Sequence, residues 1–298
     1  MFKSLVKKIL PNPLDTLLKT CILKKKRKFL IPWNRGLGDV PLGLYALIER
    51  IRKFIPNAEI TFVTRKDLHE VFDMLEDVEV LSSAFIKRGE EFDLTQVVES
   101  LGYLVGDFDY VMEKVDSDKW LFWQIGKLTP KLNWNTEKDF LAKSFFIPET
   151  NCIGVHVSTQ TGGFYDYDKN WPKSSFKELF SKIENQKIIL FGFEDDEVYS
   201  GPNIYDLRGK TSLLEMVSLI KNHCSHLLAP DSGVLNIAYY LNEDFPLKMV
   251  SLWSDPRQGI LKQKVASPNP SLVHVPLIGK EGKVSNLSVE KVYKALYS

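Results

Sequence analysis

Leu228-Ala229-Pro230-Asp231-Ser232-Gly233-Val234-Leu235-Asn236 is the stretch that decides the fold of this 298-residue chain. Residues 225–229 predict a short buried strand, and residues 234–241 carry apolar side chains at helical spacing. Asp231-Ser232-Gly233 therefore lies where a strand passes into a helix. The first turn of a helix offers unbonded amides and the positive end of the helix dipole, which suit a phosphate. The same residues also fit a simple helix cap by Asp231 or Ser232, so both interpretations stay open here.

Alternating strands and helices extend from this stretch in both directions. Apolar strands are predicted at 28–33, 58–63, 78–81, 108–112, 152–157, 187–191, 203–207 and 247–253. This alternation predicts an α/β fold of two doubly wound, Rossmann-like domains with mostly parallel sheets. A new series begins after Pro148, so we expect domains at 29–148 and 149–284 and a separate C-terminal helix at 285–298.

Composition and charge narrow the class of protein. Apolar residues make up 44% of the chain and charged residues 26%, and the net charge is +1. These values are typical of a globular protein and give no reason to expect a nucleic-acid partner. Cys21, Cys152 and Cys224 are too widely spaced for a disulfide framework or a metal knuckle, so we expect a reducing, cytoplasmic location.

The first 28 residues form a basic leader, in which nine Lys or Arg residues stand against Asp15 alone. Apolar residues recur among these charges as an interrupted amphipathic surface: Leu5, Ile9, Leu14, Leu17 and Leu18. Such a segment favours peripheral contact with the anionic inner face of a membrane. The alternative is a solvated basic tail ahead of the first strand.

Three informative loops follow predicted strands, where sheets of this kind bind ligands: 34–39, 158–172 and 230–236. In the first loop, Asp39 follows Gly36-Leu37-Gly38 at a helix start. A carboxylate there can accept a proton from a substrate hydroxyl, or it can cap the helix. In the second loop, Lys169 can approach an anionic leaving group as a mobile charge. Asp166 and Asp168 would suit a metal, but the nearby lysine favours charge neutralisation without one.

Six short motifs follow one another along the chain: Gly36-Leu37-Gly38-Asp39, Pro56-Asn57-Ala58-Glu59-Ile60, Lys169-Asn170-Trp171-Pro172, Gly209-Lys210-Thr211-Ser212-Leu213-Leu214-Glu215, Asp231-Ser232-Gly233 and Ser254-Asp255-Pro256. In this order they resemble the motifs of family 9 glycosyltransferases, the heptosyltransferase-like enzymes that extend lipopolysaccharide cores. The resemblance covers most of residues 29–298.

The resemblance implies a GT-B fold, in which two Rossmann-like domains face a central cleft and a C-terminal helix crosses back to the first domain. The first domain would bind the acceptor and the second the nucleotide-sugar. The implied reaction is inverting and metal-independent. It moves a sugar such as heptose from an ADP-sugar, or another nucleotide diphosphate-sugar, to a hydroxyl of a glycan or glycolipid such as a lipopolysaccharide core. No metal and no further cofactor are expected.

The resemblance also implies roles for individual residues. Asp39 would be the general base, on a loop with Arg35, Gly36 and Gly38. One set of residues would hold the donor: Lys169, Asp196 (at the ribose), Glu215, Asp231, Ser232, Gly233 and Asn236. Asn236 stands where the family usually has His, and Arg35 where it has a small residue. These departures leave open a non-catalytic nucleotide-sugar binder with the GT-B fold, or another GT-B enzyme such as an epimerase.

Overall fold

A computed structural model describes residues 12–113, 115, 123–160, 168–193 and 197–298. The chain divides into two compact units, residues 1–128 and residues 129–298. Each unit is built around its own parallel sheet, as the alternation of strands and helices predicts. Among the described residues, no helix is long and apolar enough to cross a membrane.

The first unit contains a four-stranded parallel sheet in the order β3-β2-β1-β4. Its strands are β1 (Lys28–Trp33), β2 (Glu59–Arg65), β3 (Val78–Ser83) and β4 (Tyr110–Val111). Its helical segments are α1 (Pro13–Leu23), a π-helical turn (Val40–Leu44), α2 (Tyr45–Phe54), α3 (His69–Phe72) and α4 (Leu94–Ser100). β1 has the predicted bounds and pairs with β2 on one side and β4 on the other. The loop after β1 therefore begins at a strand that is held on both sides by the sheet.

Helix α1 packs against the rest of the first unit. Part of the apolar surface that was predicted to contact a membrane is therefore buried in the protein. Leu14 and Leu18 are fully buried, because their face of the helix belongs to the protein core. The Arg50 guanidinium holds the helix in place through two bonds to the Asp15 carboxylate, of 2.7 and 2.5 Å. These two leucines therefore cannot contact a lipid surface. Two other predicted contacts lie outside the described residues: Leu5 and Ile9.

The second unit contains a six-stranded parallel sheet in the order β12-β11-β9-β6-β7-β8, besides a pair formed by β5 and β10. The strands are β5 (Leu132–Asn133), β6 (Cys152–His156), β7 (Ile188–Phe191), β8 (Ile204–Asp206), β9 (Cys224–Pro230), β10 (Leu241–Asn242), β11 (Leu247–Trp253) and β12 (Leu272–Ile278). The helices are α5 (Lys173–Lys182), α6 (Leu213–His223), α7 (Gly233–Tyr240), α8 (Gly259–Gln263) and α9 (Val289–Tyr297). β6 and β9 are neighbours at the centre, so the loops that follow them leave the sheet side by side.

The boundary between the units lies after residue 128, about 20 residues before the predicted boundary at Pro148. The reason is a set of contacts that the intervening segment makes with the second unit. Ser218 on α6 donates a hydrogen bond to the Asp139 carbonyl and accepts one from the Ala142 amide, at 3.0 and 3.1 Å. The Asp139 carboxylate also pairs with Lys221 at 2.6 Å, which helps to hold its pKa below the usual range although burial opposes this.

The C-terminal helix α9 also belongs to the second unit, which corrects its expected separation as residues 285–298. Ser288 caps it as predicted, because its hydroxyl accepts a hydrogen bond from the Lys291 amide at 3.4 Å. Val292 and Leu296 are fully buried in the same core as the strands β6, β7 and β11. The apolar face of α9 is therefore an integral part of this core.

Candidate active site

The turn between β9 and α7 has the predicted strand-to-helix geometry. Ser232 is the N-cap of α7, and its hydroxyl accepts a hydrogen bond from the Leu235 amide at 3.3 Å. The Asp231 amide donates to the Leu252 carbonyl of the neighbouring strand at 3.2 Å. The amide of Gly233 stands at the first position of the helix, where an α-helix has no internal acceptor for it. The turn thus has the amide geometry that suits an anion at Ser232 and Gly233, and the Asp231 amide ties it to the neighbouring strand.

The Lys169 ammonium forms an ion pair with the Asp231 carboxylate, and the Nζ–Oδ2 distance is 2.7 Å. The two side chains are only 15% and 8% exposed, so the pair is largely withdrawn from water. Asp231 directly precedes the N-cap of α7, which brings the ammonium beside the positive end of that helix. A cation next to a helix N-terminus is an arrangement that binds phosphate groups.

The loop that carries Lys169 is anchored at its base by the two residues that follow. Asn170 accepts a hydrogen bond from the Thr159 amide at 2.8 Å and donates one to the Thr159 carbonyl at 3.1 Å. Trp171 is almost completely buried, and its indole N–H donates to the Leu287 carbonyl at 2.9 Å. These bonds explain the Lys-Asn-Trp-Pro motif, because they fix the backbone from which Lys169 extends.

The backbone of Gly259 lies against the Asp231 carboxylate and the Trp253 ring. The sequence did not predict this contact. The φ of Gly259 is +44°, and a Cβ there would lie 2.6 Å from Asp231 Oδ1 and 2.7 Å from Cη2 of Trp253. The position therefore requires glycine for both its backbone conformation and its space. The available signal was a glycine shortly after Ser254-Asp255-Pro256, which by itself indicates only a turn.

His156, the last residue of β6, is a second group that sequence reasoning did not assign to the site. Its ring is 4% exposed, and burial lowers its pKa to about 4. Among the described residues, its Nδ1 atom has no hydrogen-bond partner. Gly192 passes so close that a Cβ there would lie 2.9 Å from the ring atoms Cδ2 and Nε2. A neutral imidazole thus packs directly beneath the start of the acidic loop.

The acidic run 194–197 is described only at Glu197, so the predicted ribose contact Asp196 lies outside the described residues. The Glu197 carboxylate is bound by Lys177 and lies 3.6 Å from Lys173, and these lysines lower its pKa. Its carbonyl accepts a hydrogen bond of 2.7 Å from Arg208, which is 5% exposed. The end of the acidic loop is therefore fixed to the second unit.

Two further predicted donor contacts have clear structural positions. The Glu215 carboxylate accepts a hydrogen bond from the Ser212 amide at 2.7 Å, and Ser212 caps the Glu215 amide in return at 3.3 Å. This is the predicted capping box of α6. In it, the Glu215 carboxylate already accepts a hydrogen bond from within the protein. Asn236 is 3% exposed and lies in the first turn of α7, where its backbone amide donates a hydrogen bond to the Ser232 carbonyl at 3.1 Å.

In the first unit, Asp39 ends the loop after β1 and begins the π-helical turn. Among the described residues of this segment, the Asp39 side chain makes no capping hydrogen bond, so simple helix capping does not explain it. A Cβ at Gly36 would lie 2.9 Å from Asp39 Oδ2, which means that the carboxylate lies over the Gly36 backbone. Gly38 accepts a hydrogen bond from the Leu42 amide at 3.4 Å, and Arg35 is exposed. Isolated π-helical turns are frequent at functional sites.

The structure brings together most of the residues predicted to bind the donor: Lys169, Asp231, Ser232, Gly233 and Asn236. Glu215 has a local role in a helix cap, and Asp196 is not described. Within the described part of the chain, no group of three or more His, Cys, Asp or Glu side chains is arranged to hold a metal ion.

Comparison with known proteins gives a family match over part of the chain and structural matches over most of it. Residues 135–254 match the model of glycosyltransferase family 9 (heptosyltransferase). The solved structure of ADP-heptose lps heptosyltransferase II from E. coli is similar over 91% of this chain and 97% of its own, with a TM-score of 0.64 and 17% identity. The family 9 glycosyl transferase from Veillonella parvula DSM 2008 is similar over 91% and 96% of the two chains, with a TM-score of 0.59 and 16% identity. Comparison with curated protein sequences gives no match.

The family match covers β6, β7, β9, α7 and β11, the elements that position Lys169 and the Asp231-Ser232-Gly233 turn. The structural likeness extends over both units and shows the GT-B fold that the motif order predicts. The chain therefore has the GT-B fold, and its residues 135–254 match the model of glycosyltransferase family 9 (heptosyltransferase).

Proposed function

We propose that the chain transfers heptose, or a similar sugar, from a nucleotide diphosphate-sugar to a hydroxyl of a cell-surface glycan such as a lipopolysaccharide core. The observation that supports this most directly is the Lys169–Asp231 pair beside the start of α7. The name of the similar E. coli structure makes ADP-heptose and a lipopolysaccharide core the first donor and acceptor to test. The reaction would take place in the cytoplasm, at the inner face of the membrane.

The donor diphosphate would bind where charge and free amides coincide. One phosphate would accept hydrogen bonds from the Gly233 amide and the Ser232 hydroxyl, whose proton is not used in capping. Lys169 would exchange its contact with Asp231 for the second phosphate. Asp196 would bind the ribose, and Glu215 and Asn236 would line the remaining donor surface.

The chemistry would be a single displacement with inversion at the anomeric carbon. The Asp39 carboxylate would take the proton of the acceptor hydroxyl while its oxygen attacks the anomeric carbon from the face opposite the diphosphate. The bond between the anomeric carbon and the diphosphate oxygen would break, and its electrons would remain on the leaving nucleotide diphosphate. Lys169 and the Gly233 amide would stabilise that charge, without a metal. In other enzymes, a single donor of this kind contributes about 10²–10³-fold in rate.

A donor and acceptor assay tests this proposal. The full chain is incubated with ADP-heptose and a deacylated lipopolysaccharide core, with and without a chelator, and the anomeric configuration of the product is read by NMR. Inverted product in the presence of the chelator is expected, and the Asp39→Asn variant should retain donor binding but lose transfer. Retained configuration or a requirement for metal would contradict the mechanism.

The transfer assay combined with calorimetry separates the proposed function from the two alternatives. Calorimetry with ADP, UDP and GDP measures nucleotide binding independently of transfer. Tight nucleotide binding without transfer to any acceptor supplied would indicate a non-catalytic binder. An altered free sugar nucleotide, formed without an acceptor, would indicate an epimerase.

A further inference from the structure

The end of helix α1 presents two neighbouring large apolar side chains to solvent. Leu23 is 84% exposed and Ile22 is 47% exposed, although the opposite face of the helix is buried. The bonds between Asp15 and Arg50 hold the helix, so this apolar tip cannot turn inward without breaking them. The protein therefore maintains an apolar tip at a fixed position.

Basic residues precede and follow this tip along the chain, at the end of α1 and on the connection to β1. We define the basic corner as Lys19 together with residues Ile22–Lys28. Its cations are Lys19, Lys24, Lys25, Lys26, Arg27 and Lys28. Five of the six are exposed, and Lys26 lies over the Tyr110 ring at 5.3 Å.

Among the described residues, the carboxylates that contact the corner directly are Asp109 and Glu59, and they neutralise only part of this charge. The Asp109 carboxylate accepts hydrogen bonds from the backbone amides of Arg27 and Lys28, at 2.7 and 2.9 Å. It therefore stabilises the backbone of the corner. Glu59 lies 3.8 Å from the Lys28 ammonium. Against six cations, these two acids leave the corner with a clear excess of positive charge, whereas the net charge of the whole chain is only +1.

We propose that the basic corner docks the protein on an anionic lipid bilayer, with Ile22 and Leu23 inserted among the acyl chains and the lysines on the lipid phosphates. An apolar tip flanked along the chain by Lys and Arg has the chemistry of a bilayer interface. A nucleic acid or an acidic protein surface would engage the charges but would leave Ile22 and Leu23 without an apolar partner.

The position of the corner on the first sheet leaves the candidate catalytic loop accessible. The corner lies at the amino end of β1, and Asp39 lies beyond its carboxyl end. Six residues of strand separate them, which corresponds to about 20 Å. Docking at the corner therefore does not cover Asp39. This inference rests on the exposure and charge of the corner, and it holds whether or not the chain transfers a sugar.

Vesicle flotation with the full chain tests the proposal, because it needs neither donor nor acceptor. The chain should float with vesicles of phosphatidylcholine containing about 30% phosphatidylglycerol and not with pure phosphatidylcholine vesicles, and high salt should weaken the binding at least about tenfold. The variant Ile22→Ser/Leu23→Ser should bind at least about fivefold more weakly. Its apolar control is Phe85→Ser/Leu104→Ser, which changes side chains that are 81% and 59% exposed elsewhere on the first unit.

The charge of the corner is tested in parallel. Lys24→Glu/Lys25→Glu should lose at least about tenfold in binding, whereas the control Lys131→Glu/Lys143→Glu, at exposed positions of the second unit, should bind normally. Lys25 has a φ of +55°, so Lys25→Gly removes a charge and relieves the backbone at once. Urea unfolding of this variant should therefore be no easier than that of the wild type, and weaker binding would then reflect the lost charge.

Three results would overturn the proposal. The first is no binding of the wild-type chain to anionic vesicles. The second is equal loss of binding in the corner variants and their controls. The third is binding to heparin or DNA as strong as to vesicles, with no effect of Ile22→Ser/Leu23→Ser, which would make the corner a general polyanion surface. A failure of sugar transfer would leave all of these measurements unchanged.

Discussion

The Lys169 ammonium lies 2.7 Å from the Asp231 carboxylate, and both side chains are largely buried beside the first turn of α7. The ion pair holds a flexible lysine at a defined position before any donor arrives. In the proposed function, a nucleotide diphosphate would compete with Asp231 for the ammonium. Asp231 would then both hold Lys169 and form part of the surface that the donor meets.

The first prediction concerns this pair. Lys169→Ala should lower the rate of transfer by about 10²-fold, because one cation at the leaving group is lost. Asp231→Asn should destabilise the fold by about 3 kcal/mol, because it removes the carboxylate that pairs with a mostly buried ammonium. Initial rates measure the effect of Lys169→Ala, and urea unfolding measures the effect of Asp231→Asn.

A double-mutant cycle is the control for that prediction. In the Lys169→Ala background, Asp231→Asn should cost at least about 1 kcal/mol less than it does in the wild type, because the partner charge is already absent. Additive effects on the free energy of unfolding would show that the two side chains do not stabilise each other.

The second prediction concerns the position of the Asp39 carboxylate. Gly36→Ala places a methyl group about 2.9 Å from Asp39 Oδ2 and should displace the carboxylate, so transfer should fall by about 10–10²-fold. Donor affinity, measured by calorimetry, should not change. Gly106→Ala is the matched control, since a Cβ there meets nothing within 4 Å. Normal turnover of the Gly36→Ala variant would argue against Asp39 as the base.

The third prediction concerns Gly259 and its contact with Asp231. Gly259→Ala should destabilise the fold and raise the KM for the donor, because the methyl group enters the space of the Asp231 carboxylate and the Trp253 ring. Gly102→Ala is a control with a φ of +86° and no neighbouring atom within 4 Å. It should show the cost of the left-handed backbone, about 1 kcal/mol, without the effect on KM. Equal KM values for the two variants would remove Gly259 from the site.

The fourth prediction is a pH dependence of stability caused by His156. Its pKa is lowered in the folded state to about 4 from a usual value of 6.5, so the unfolded chain binds the proton more tightly. The contribution is therefore present above pH 6.5 and is lost as the pH falls towards 4. Between pH 7 and pH 5, His156 should account for a loss of about 2 kcal/mol in the free energy of unfolding.

The measurement is urea unfolding of the wild type and of His156→Asn at the two pH values. The variant should be less stable at pH 7 but should lose less stability on acidification. His274, whose pKa burial also lowers to about 4, remains in both proteins and causes a shared background. An unchanged difference between pH 7 and pH 5 in the variant would show that His156 titrates normally.

The sequence predicted the parts of the fold that depend on neighbouring residues. The bounds of β1 and β11 are as expected, because continuous apolar runs specify buried strands. The caps at Ser212, Ser232 and Ser288 are also as expected, since each bond joins residues three positions apart. Alternation of strands and helices then places the ligand loops at one edge of each sheet, because every loop from a strand to the next helix leaves the carboxyl end of its strand and the strands are parallel.

The sequence could not show which surfaces become buried between distant segments. Leu14 and Leu18 have the same pattern whether a helix faces lipid or protein, and only the docking of α1 decides between them. The segment around Asp139 is irregular in sequence, and its bond to Ser218, 79 residues away, assigns it to the second unit. Periodicity reports which face is apolar, but not what that face meets.

The sequence by itself therefore determined the α/β class, the motif order and the short-range geometry of the Asp231-Ser232-Gly233 turn. Only the tertiary structure decided that Lys169 reaches Asp231, that Gly259 supports that carboxylate, and that Trp171 anchors the loop by a bond to Leu287, 116 residues away. The physical reason is that hydrogen bonding and capping act over a few residues, whereas the position of a charge in a site is fixed by packing between segments that no local pattern encodes.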